Sequence, residues 1–278
     1  MKFLFTADLH GNVLQYQKVF QHLNEHNFDF LILGGDLAPK SNDKRNPDAQ
    51  KDFFTDVLFK LTKNSEKQTF LILGNDDYRR NLNFLRENQA SNNYKLLEGP
   101  YNVGEYYVIG YSYVPYTPFI WKDWERRDLE TDTARDLRLD VLTEGKFDFD
   151  KSYNIFDDFS KYSIETDLKN LCKNTDMKNL ILVTHTPPAN TICDLMKDKD
   201  GNLRHIGSKA VRKFIEERQP LLTLHGHIHD SVQNSQQFMQ HLNKTVSATV
   251  GNDHLTDNVF VLQITIKGNN VEIERIEL

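Results

Sequence analysis

Asp, Asn and His side chains follow five apolar runs of this chain, at the points where the predicted β-strands end. Carboxylate, amide and imidazole groups are ligands for Mn, Fe and Zn ions. Because ligands in open α/β sheets bind outside the carboxyl ends of strands, we expect the five clusters to form one site. The runs and clusters are Lys2–Phe5 before Asp8-Leu9-His10, Phe30–Leu33 before Gly35-Asp36, Phe70–Leu73 before Gly74-Asn75-Asp76, Leu180–Val183 before His185, and Leu221–Leu224 before Gly226-His227-Ile228-His229.

Each cluster also has an interpretation without metal chemistry. Asp8 and Asn75 could cap helices, and Asp36 could form a turn. His185 could be a packed, hydrogen-bonded core histidine. The segment 225–229 is the least compatible with chance, because it holds three of the ten histidines of the chain. If no metal binds here, a separate explanation is needed at each of the five strand ends. The joint pattern therefore favours a metal site.

The elements that carry these clusters alternate along the first part of the chain. Apolar residues at helical spacing predict helices that separate short apolar strands. Such alternation is typical of a parallel sheet with right-handed crossovers. Residues 94–113 read instead as short strands at the edge of a second sheet. The predicted helices are 13–25, 48–63, 78–88, 160–175 and 207–218, and the predicted strands outside 94–113 are 2–7, 28–33, 69–73, 179–184, 220–224, 244–250, 258–266 and 271–276.

Residues from about 114 to 160 form an aromatic- and charge-rich insertion in a chain that otherwise reads as one domain, 1–278. A loop this long is usually functional or disordered, and its aromatic content argues against full disorder. We therefore expect a lid or wall over the site. Tyr113, just before the insertion, could stack on a nucleotide base or belong to the core.

Composition limits the class of protein. The net charge of −6 argues against general nucleic-acid binding, which usually needs a basic surface. Two cysteines cannot form a disulfide framework, which favours a reducing compartment. No signal peptide and no apolar run of about 18 residues is visible, so we expect a soluble cytoplasmic protein without a membrane partner. The oligomeric state stays open.

The order Asp-x-His, Gly-Asp, Gly-Asn-x-Asp, His, Gly-His-x-His, between residues 8 and 229, resembles the calcineurin-like metallophosphoesterase superfamily, in its bacterial and archaeal phosphoesterase-like branch. The resemblance implies an α/β fold, a four-layer α/β/β/α sandwich with two mixed sheets and a dinuclear metal site at the strand ends. It further implies two divalent or trivalent ions (Mn, Fe or Zn, with Mn favoured). The implied ligands are Asp8, His10 and His229 for the first ion, Asn75, His185 and His227 for the second, and Asp36 as the bridge.

The same resemblance implies a metal-dependent phosphoester hydrolase, in which a hydroxide that bridges the ions attacks phosphorus. We expect a small phosphorylated substrate, with a nucleotide-like phosphodiester slightly favoured over a phosphomonoester. One alternative is a binding scaffold that kept the fold and lost catalysis. A nuclease is a further alternative, which the acidic balance disfavours.

The chain departs from the family pattern at Asp76, where many members have a histidine that donates a proton or binds phosphate. An ionised aspartate is a poor general acid, and nearby cations favour the ionised form. The protein Ser/Thr phosphatase branch pairs that histidine with an aspartate, and Pro39 occupies the corresponding position here. The departure therefore predicts a good leaving group or another donor, for which His205 is a candidate.

Other residues are expected to support the substrate or the ligands. Ser208 precedes a predicted helix whose amides could bind phosphate. Asp77 closes the asparagine motif and is expected to orient a ligand imidazole. Asn12 and Tyr113 complete the residues predicted to contact substrate or to support the site.

Overall fold

The computed structural model describes residues 1–40, 48–117, 122–133 and 161–278. Its strands are β1 (Lys2–Thr6), β2 (Phe30–Gly34), β3 (Gln68–Ile72), β4 (Tyr94–Leu96), β5 (Tyr101–Val103), β6 (Tyr106–Tyr111), β7 (Leu180–Thr184), β8 (Leu195–Lys197), β9 (Leu203–His205), β10 (Leu222–His225), β11 (Met239–Leu242), β12 (Thr245–Thr249), β13 (Phe260–Lys267) and β14 (Asn270–Glu277). Its helices are α1 (Val13–Glu25), α2 (Ala49–Phe53), α3 (Phe59–Asn64), α4 (Leu82–Asn88), α5 (Ile164–Leu171), α6 (Lys209–Arg218) and α7 (Ser231–Ser235). A π-helical turn, Phe54–Leu58, joins α2 to α3, and short 3₁₀ turns cover Arg79–Asn81, Met177–Asn179 and Ile192–Asp194.

The first sheet has the strand order β14-β13-β1-β2-β3-β4. Strands β1 to β4 are parallel. Beyond β1, β13 pairs with β1 in antiparallel fashion, and β14 pairs with β13 in antiparallel fashion. The register places Phe3 opposite Phe30, and Phe30 opposite Gln68. The carboxyl ends of β1, β2 and β3 therefore meet at one edge.

The second sheet has the order β11-β12-β10-β7-β6-β5. Strands β6, β7, β10 and β12 are parallel, while β5 and β11 are antiparallel edge strands. The carboxyl ends of β7, β10 and β12 again meet at one edge. A separate two-stranded hairpin pairs β8 with β9.

Alternation along the strands produces three apolar cores, because successive side chains point to opposite faces of a sheet. On β1, Leu4 faces a core shared with α1, while Phe3 and Phe5 face the second sheet. On β7, Ile181 faces the first sheet, and Leu182 faces a core shared with α5 and α6. The layers are therefore helices, sheet, sheet and helices, which confirms the predicted four-layer α/β/β/α sandwich with two mixed sheets.

Local signals define α1 well. Asn12 caps the helix, since its side-chain oxygen accepts a hydrogen bond from the backbone N–H of Gln15 at 3.2 Å. Tyr16, Val19 and Leu23 recur at helical spacing and are buried. The observed bounds, Val13–Glu25, coincide with the predicted 13–25.

Some sequence expectations were wrong. Tyr94–Leu96 was expected in the second sheet, but it pairs with β3 as the edge of the first sheet. The hairpin of β8 and β9, the edge strand β11 and the short helix α7 were not predicted, because each is a few residues long and lacks a clear apolar period. Most of the insertion expected at about 114–160 lies outside the described residues.

The described parts of that insertion pack on the body of the protein. Val114 pairs with Glu125 in a parallel bridge. The indole N–H of Trp124 donates to the backbone carbonyl of Asp77 at 2.7 Å. Asp123 accepts a hydrogen bond from the backbone N–H of Arg79 at 2.9 Å. These contacts attach the start of the insertion to the segment that follows the asparagine motif.

None of the helices in the described ranges is long and apolar enough to span a lipid bilayer. Cys172 and Cys193 are both free thiols and both buried.

Candidate metal centre

The seven side chains predicted as metal ligands follow the carboxyl ends of five parallel strands. Asp8 and His10 come after β1, Asp36 after β2 and Asn75 after β3. From the second sheet, His185 follows β7, and His227 and His229 follow β10. Hydrogen bonds join the two sheets here, since the backbone N–H of His227 donates to Oδ1 of Asp8 at 2.8 Å.

The first predicted ligand set is compact. Nε2 of His10 lies 3.1 Å from Nε2 of His229, and Oδ1 of Asp8 lies 4.0 Å from Nε2 of His229. Donor atoms of Asp8, His10, Asp36 and His229 all lie within 4.8 Å of one another. Donors at about 2.1 Å from one ion lie roughly 3–4.2 Å apart, so small side-chain shifts bring this set to a common cation.

The second predicted set is built around His185. Its Nε2 lies 3.1 Å from Oδ1 of Asn75 and 3.4 Å from Oδ2 of Asp36. The ring of His227 meets the ring of His185 edge-on, with 5.2 Å between their centroids. The same Oδ2 of Asp36 lies 3.6 Å from Nε2 of His10. Asp36 thus stands between the two sets.

Backbone strain is concentrated in these loops. Four of the seven candidates have positive φ, at 62° for Asp8, 40° for His10, 50° for Asp36 and 72° for His227. Positive φ is uncommon for residues other than glycine, and such strain tends to cluster at functional sites. Backbone hydrogen bonds from Asp8 and His10 to the loop after β2 hold the strained conformations in place.

Three glycines allow the loops to approach one another. A Cβ on Gly35 would lie 2.5 Å from Nδ1 of His185. A Cβ on Gly74 would lie 2.2 Å from Oδ1 of Asp36, and one on Gly226 would lie 2.7 Å from Oδ2 of Asp8. The motif glycines are therefore required because the polar side chains occupy the space beside them.

Burial and the charge of Asp36 together set the pKa values of the ligand imidazoles. Burial lowers the pKa of His10 to about 2 and the pKa of His227 to about 3, so both rings are neutral, which is the form that binds metal. Burial also acts to lower the pKa of His185, but the carboxylate of Asp36 reverses this and raises it to about 10. Although burial acts to raise it, His185 and His10 hold the pKa of Asp36 well below its usual range.

The donor set fits a divalent cation. Oδ2 of Asp8 and Nδ1 of His10 are buried without a hydrogen-bond partner anywhere in the described ranges. A buried polar atom without a partner is costly. Burial raises the pKa of Asp8, and a cation beside its carboxylate would oppose that effect. Carboxylate, amide and imidazole donors at these separations suit Mn, Fe or Zn.

Asp76 lies at the rim of the candidate centre. Its Oδ2 is 3.3 Å from Nζ of Lys40 and 3.7 Å from Nδ1 of His10. Burial and the charge of Asp36 raise the pKa of Asp76 to about 6. Bound cations would act in the opposite direction and favour the carboxylate.

Asp77 has a different role from the one predicted. Its carboxylate accepts hydrogen bonds from the backbone N–H groups of Leu37, Ala38 and Gly74, at 2.8 to 3.0 Å. The expectation that it orients a ligand imidazole was wrong, because these backbone donors surround it. Asp77 instead ties the loop after β2 to the loop after β3.

Ser208 was expected at a helix end that binds phosphate, and the structure shows a different role for it. Its hydroxyl accepts from the backbone N–H of Val211, as a helix cap, and donates to Asp128 at 2.5 Å. The backbone N–H groups of Lys209 and Ala210 also donate to Asp128. The prediction that this helix end binds phosphate was wrong, because a carboxylate of the protein already fills that position.

His205 lies on β9, and its Nδ1 bonds to the buried carboxylate of Asp194 at 2.7 Å. Its side chain is 42% exposed. Within the described ranges, its polar contact is with Asp194 and not with any of the seven candidate ligands. A role as proton donor stays a prediction.

Tyr113 belongs to an aromatic cluster. Its ring lies 5.1 Å from the ring of Trp124, and the guanidinium of Arg126 stacks on it at 3.7 Å. These residues line a cavity of about 580 Å³ that adjoins β3, β6 and α5. Tyr113 therefore lies at the wall of a cavity whose lining includes none of the seven candidate ligands, and its contact with a substrate stays a prediction.

Asn12 connects α1 to the segment after β12. Its side-chain N–H₂ group donates to the carbonyls of His254 at 2.9 Å and Thr256 at 3.0 Å. It caps the helix and positions a loop, which fits a supporting role.

His254 is the residue at this site that sequence reasoning missed. Its ring centroid lies 4.4 Å from that of His10 and 5.5 Å from that of His229. A signal was present, because the segment Gly251-Asn252-Asp253 after β12 repeats the Gly74-Asn75-Asp76 pattern after β3.

The fold and the ordered strand-end motifs define a class of metal-dependent phosphoesterases. The chain belongs to the calcineurin-like phosphoesterase family, whose model matches residues 1–231. This confirms the resemblance drawn from the motifs. No curated protein matches the chain with statistical significance.

Several solved structures share the fold. TT1561 of Thermus thermophilus aligns with a TM-score of 0.56 at 17% identity, over 98% of this chain and 97% of that chain. A protein assigned as a 5′-nucleotidase of Staphylococcus aureus, in complex with alpha-ketoglutarate, aligns with a TM-score of 0.53 at 15% identity, over 100% of this chain and 53% of that one. GAP50, the anchor in the inner membrane complex of Plasmodium, aligns with a TM-score of 0.52 at 11% identity, over 99% of this chain and 84% of that one. At these identities the likeness concerns the fold.

Proposed function

We propose that this chain is a metal-dependent phosphoester hydrolase with a dinuclear centre, and that it favours phosphodiesters over phosphomonoesters. The observation that carries the proposal is the position of Asp36. One oxygen, Oδ2, lies 3.6 Å from Nε2 of His10 and 3.4 Å from Nε2 of His185. A carboxylate held between two histidine sets is the arrangement that a bridging ligand needs.

Each side chain has a defined part in this proposal. Two bound ions would supply hydroxide near neutral pH and neutralise the charge that builds on phosphate oxygens. Asp36 would hold them at a fixed separation. The sets that would hold the ions are Asp8, His10 and His229 for the first, and Asn75, His185 and His227 for the second.

The rim adds charge that would orient an anionic substrate. Lys40 is 42% exposed in its side chain and pairs with Asp76 at 3.3 Å, so its ammonium group is held at the entrance. A negatively charged phosphate would compete with Asp76 for this ammonium group. The net charge of −6 of the whole chain favours a small substrate over a long nucleic acid.

A nucleotide-like substrate would place its base in the aromatic cavity, whose lining includes none of the seven candidate ligands. Tyr113 and Trp124 line the cavity of about 580 Å³ together with Arg79 and Arg126. Aromatic faces and guanidinium planes stack on bases.

The free thiols of Cys172 and Cys193 fit a cytoplasmic location.

The test is turnover of bis(p-nitrophenyl) phosphate and of p-nitrophenyl phosphate by purified protein loaded with Mn²⁺. We expect hydrolysis of both, with the higher kcat/KM for the diester. An Asp36→Asn variant prepared in the same way is the control for contaminating phosphatases. A higher kcat/KM for the monoester would overturn the diester preference and leave the hydrolase in place.

One observation favours a second candidate, a scaffold that kept the fold without catalysis. Asp76 occupies the position at which related enzymes have a histidine, and it is paired with Lys40. GAP50, which shares the fold, is described as an anchor. Full occupancy by two ions without turnover of either ester would favour the scaffold.

A further inference from the structure

His254 lies beside the first predicted ligand set, after a strand that the metal motifs do not include. Donor atoms of His10, His229 and His254 all lie within 4.8 Å of one another. The pair His10 and His229 is thus shared between two possible donor groups, one with the carboxylates of Asp8 and Asp36 and one with a third imidazole.

The side chain of His254 has an unused donor atom. Nδ1 is buried and has no hydrogen-bond partner among the residues described. Burial also lowers the pKa of His254, which acts in the direction of the neutral ring. One ring nitrogen of His254 lies within 4.8 Å of donor atoms of His10 and His229, so the three rings are placed to share a cation.

The loop that carries His254 is held firmly. The fully buried amide of Gln15 donates to the carbonyls of Asp253, Thr256 and Asn258 at 2.8 to 2.9 Å. Asn12 donates to the carbonyl of His254 itself. Both donors are at the start of α1, directly after the Asp-x-His motif. The first turn of one helix therefore fixes His254 relative to His10.

We propose that His254 is a further ligand of the first ion, which adds a third imidazole to those of His10 and His229. This inference rests on the metal centre of the proposed function. Donors of one ion lie roughly 3–4.2 Å apart, and the half-exposed His254 needs only a small shift to reach that range.

A third imidazole would change the metal preference of the first position. Imidazole ligands suit Zn and Fe, whereas carboxylate and carbonyl oxygens suit Mn. The first position would then favour Zn or Fe. The second position, with the amide oxygen of Asn75, would keep a greater tolerance for Mn.

The experiment compares metal binding by wild-type protein, His254→Gln and His241→Gln. His241 is an exposed histidine on β11 and is the matched control. Each protein is stripped with a chelator, checked for its fold by circular dichroism, and titrated with Co²⁺ while the visible absorption is recorded. Competition with Zn²⁺ then measures the affinity of the tighter site.

We expect wild-type protein and His241→Gln to bind two Co²⁺ ions with the same spectrum. His254→Gln should bind Zn²⁺ about 10–100-fold more weakly at one site, with a changed Co²⁺ absorption, since loss of even a supporting partner costs that much. Unchanged affinity and spectrum in folded His254→Gln would overturn the inference, even if KM for the ester rises. Wild-type protein that binds no Co²⁺ would instead overturn the metal centre itself.

Discussion

Nδ1 of His185 donates a hydrogen bond to the backbone carbonyl of Gly34 at 2.9 Å. This bond joins the loop after β7 of the second sheet to the end of β2 in the first. Because one ring nitrogen is bound to the carbonyl, the other, Nε2, is directed at Asn75 and Asp36. Such partners fix the tautomer and orientation of a metal-binding histidine. The candidate centre therefore depends on how the two sheets are stacked.

The proposed bridge is tested most directly by Asp36→Asn. The amide keeps the shape of the side chain and removes its charge, so we expect loss of at least one bound ion. Turnover of bis(p-nitrophenyl) phosphate should fall by more than about 100-fold, since loss of outer partners alone typically costs 10–100-fold. Elemental analysis and kcat/KM measure the two effects.

Asp257→Asn is the control for that change, because Asp257 is exposed on the loop before β13. It should behave as wild type. If Asp36→Asn keeps two ions and a rate close to that of wild type, Asp36 is not a bridging ligand.

The tight approach of the loops predicts that Gly74→Ala is disruptive. Its Cβ would lie 2.2 Å from Oδ1 and 2.4 Å from the backbone nitrogen of Asp36. Overpacking of this kind costs about 1–3 kcal/mol in the free energy of unfolding. We expect a lower melting temperature and weaker metal binding. Gly99→Ala is the matched control, since no atom lies within 4 Å of its Cβ, and it should be neutral.

The substitution Asp76→His tests whether this chain lacks a proton donor. Histidine can protonate a leaving group near neutral pH, and general acid catalysis contributes typically 10²–10⁴-fold. We expect the rate on a dinucleotide, which has an alkoxide leaving group, to rise at least about 10-fold. The rate on bis(p-nitrophenyl) phosphate should change little, because nitrophenolate leaves without help.

Asp76→Asn is the companion variant, since it removes the charge that pairs with Lys40 without adding a donor. It should show no gain on the dinucleotide. An equal gain in both variants would mean that the charge of Asp76 matters and that proton donation does not.

An ion cluster between α5 and α6 predicts a pH dependence of stability. Glu165 accepts hydrogen bonds from Lys213 at 2.7 Å and Lys169 at 2.9 Å. Burial acts to raise the pKa of Glu165, but the lysines and a backbone N–H lower it to about 2. Between pH 2 and about 4.5 the unfolded chain binds more protons than the folded one, so stability falls as the pH falls through this range.

The Glu165→Gln variant lacks the contribution of the ionised carboxylate to the free energy of unfolding. At about pH 6 we expect wild type to be more stable than the variant by about 1 kcal/mol, since the half-exposed lysines are screened by solvent. At about pH 3 the difference should shrink. Urea unfolding at the two pH values measures it, and a difference that grows on acidification would contradict the assignment.

Much of the fold could be predicted because its signals are local. The apolar periods of α1 and of strands β1, β2 and β3 lie within a few residues, and hydrophobic periodicity reflects which face is buried. The ordered motifs then predicted the family, which the match over residues 1–231 confirms. Within each sheet, convergence of the motif residues followed from one rule, that the carboxyl ends of parallel strands meet at one edge.

The sequence alone therefore determined α1 and the central strands, the family with its layered architecture, and the residues that lie at the strand ends. Only the tertiary structure decided which contacts the residues around these strand ends make. It placed Asp128 on the helix end at Ser208, 80 residues away, and turned Asp77 toward backbone amides. It also brought His254 beside His10. Contacts between such distant residues depend on how sheets and loops stack, and no local period or short motif records that stacking.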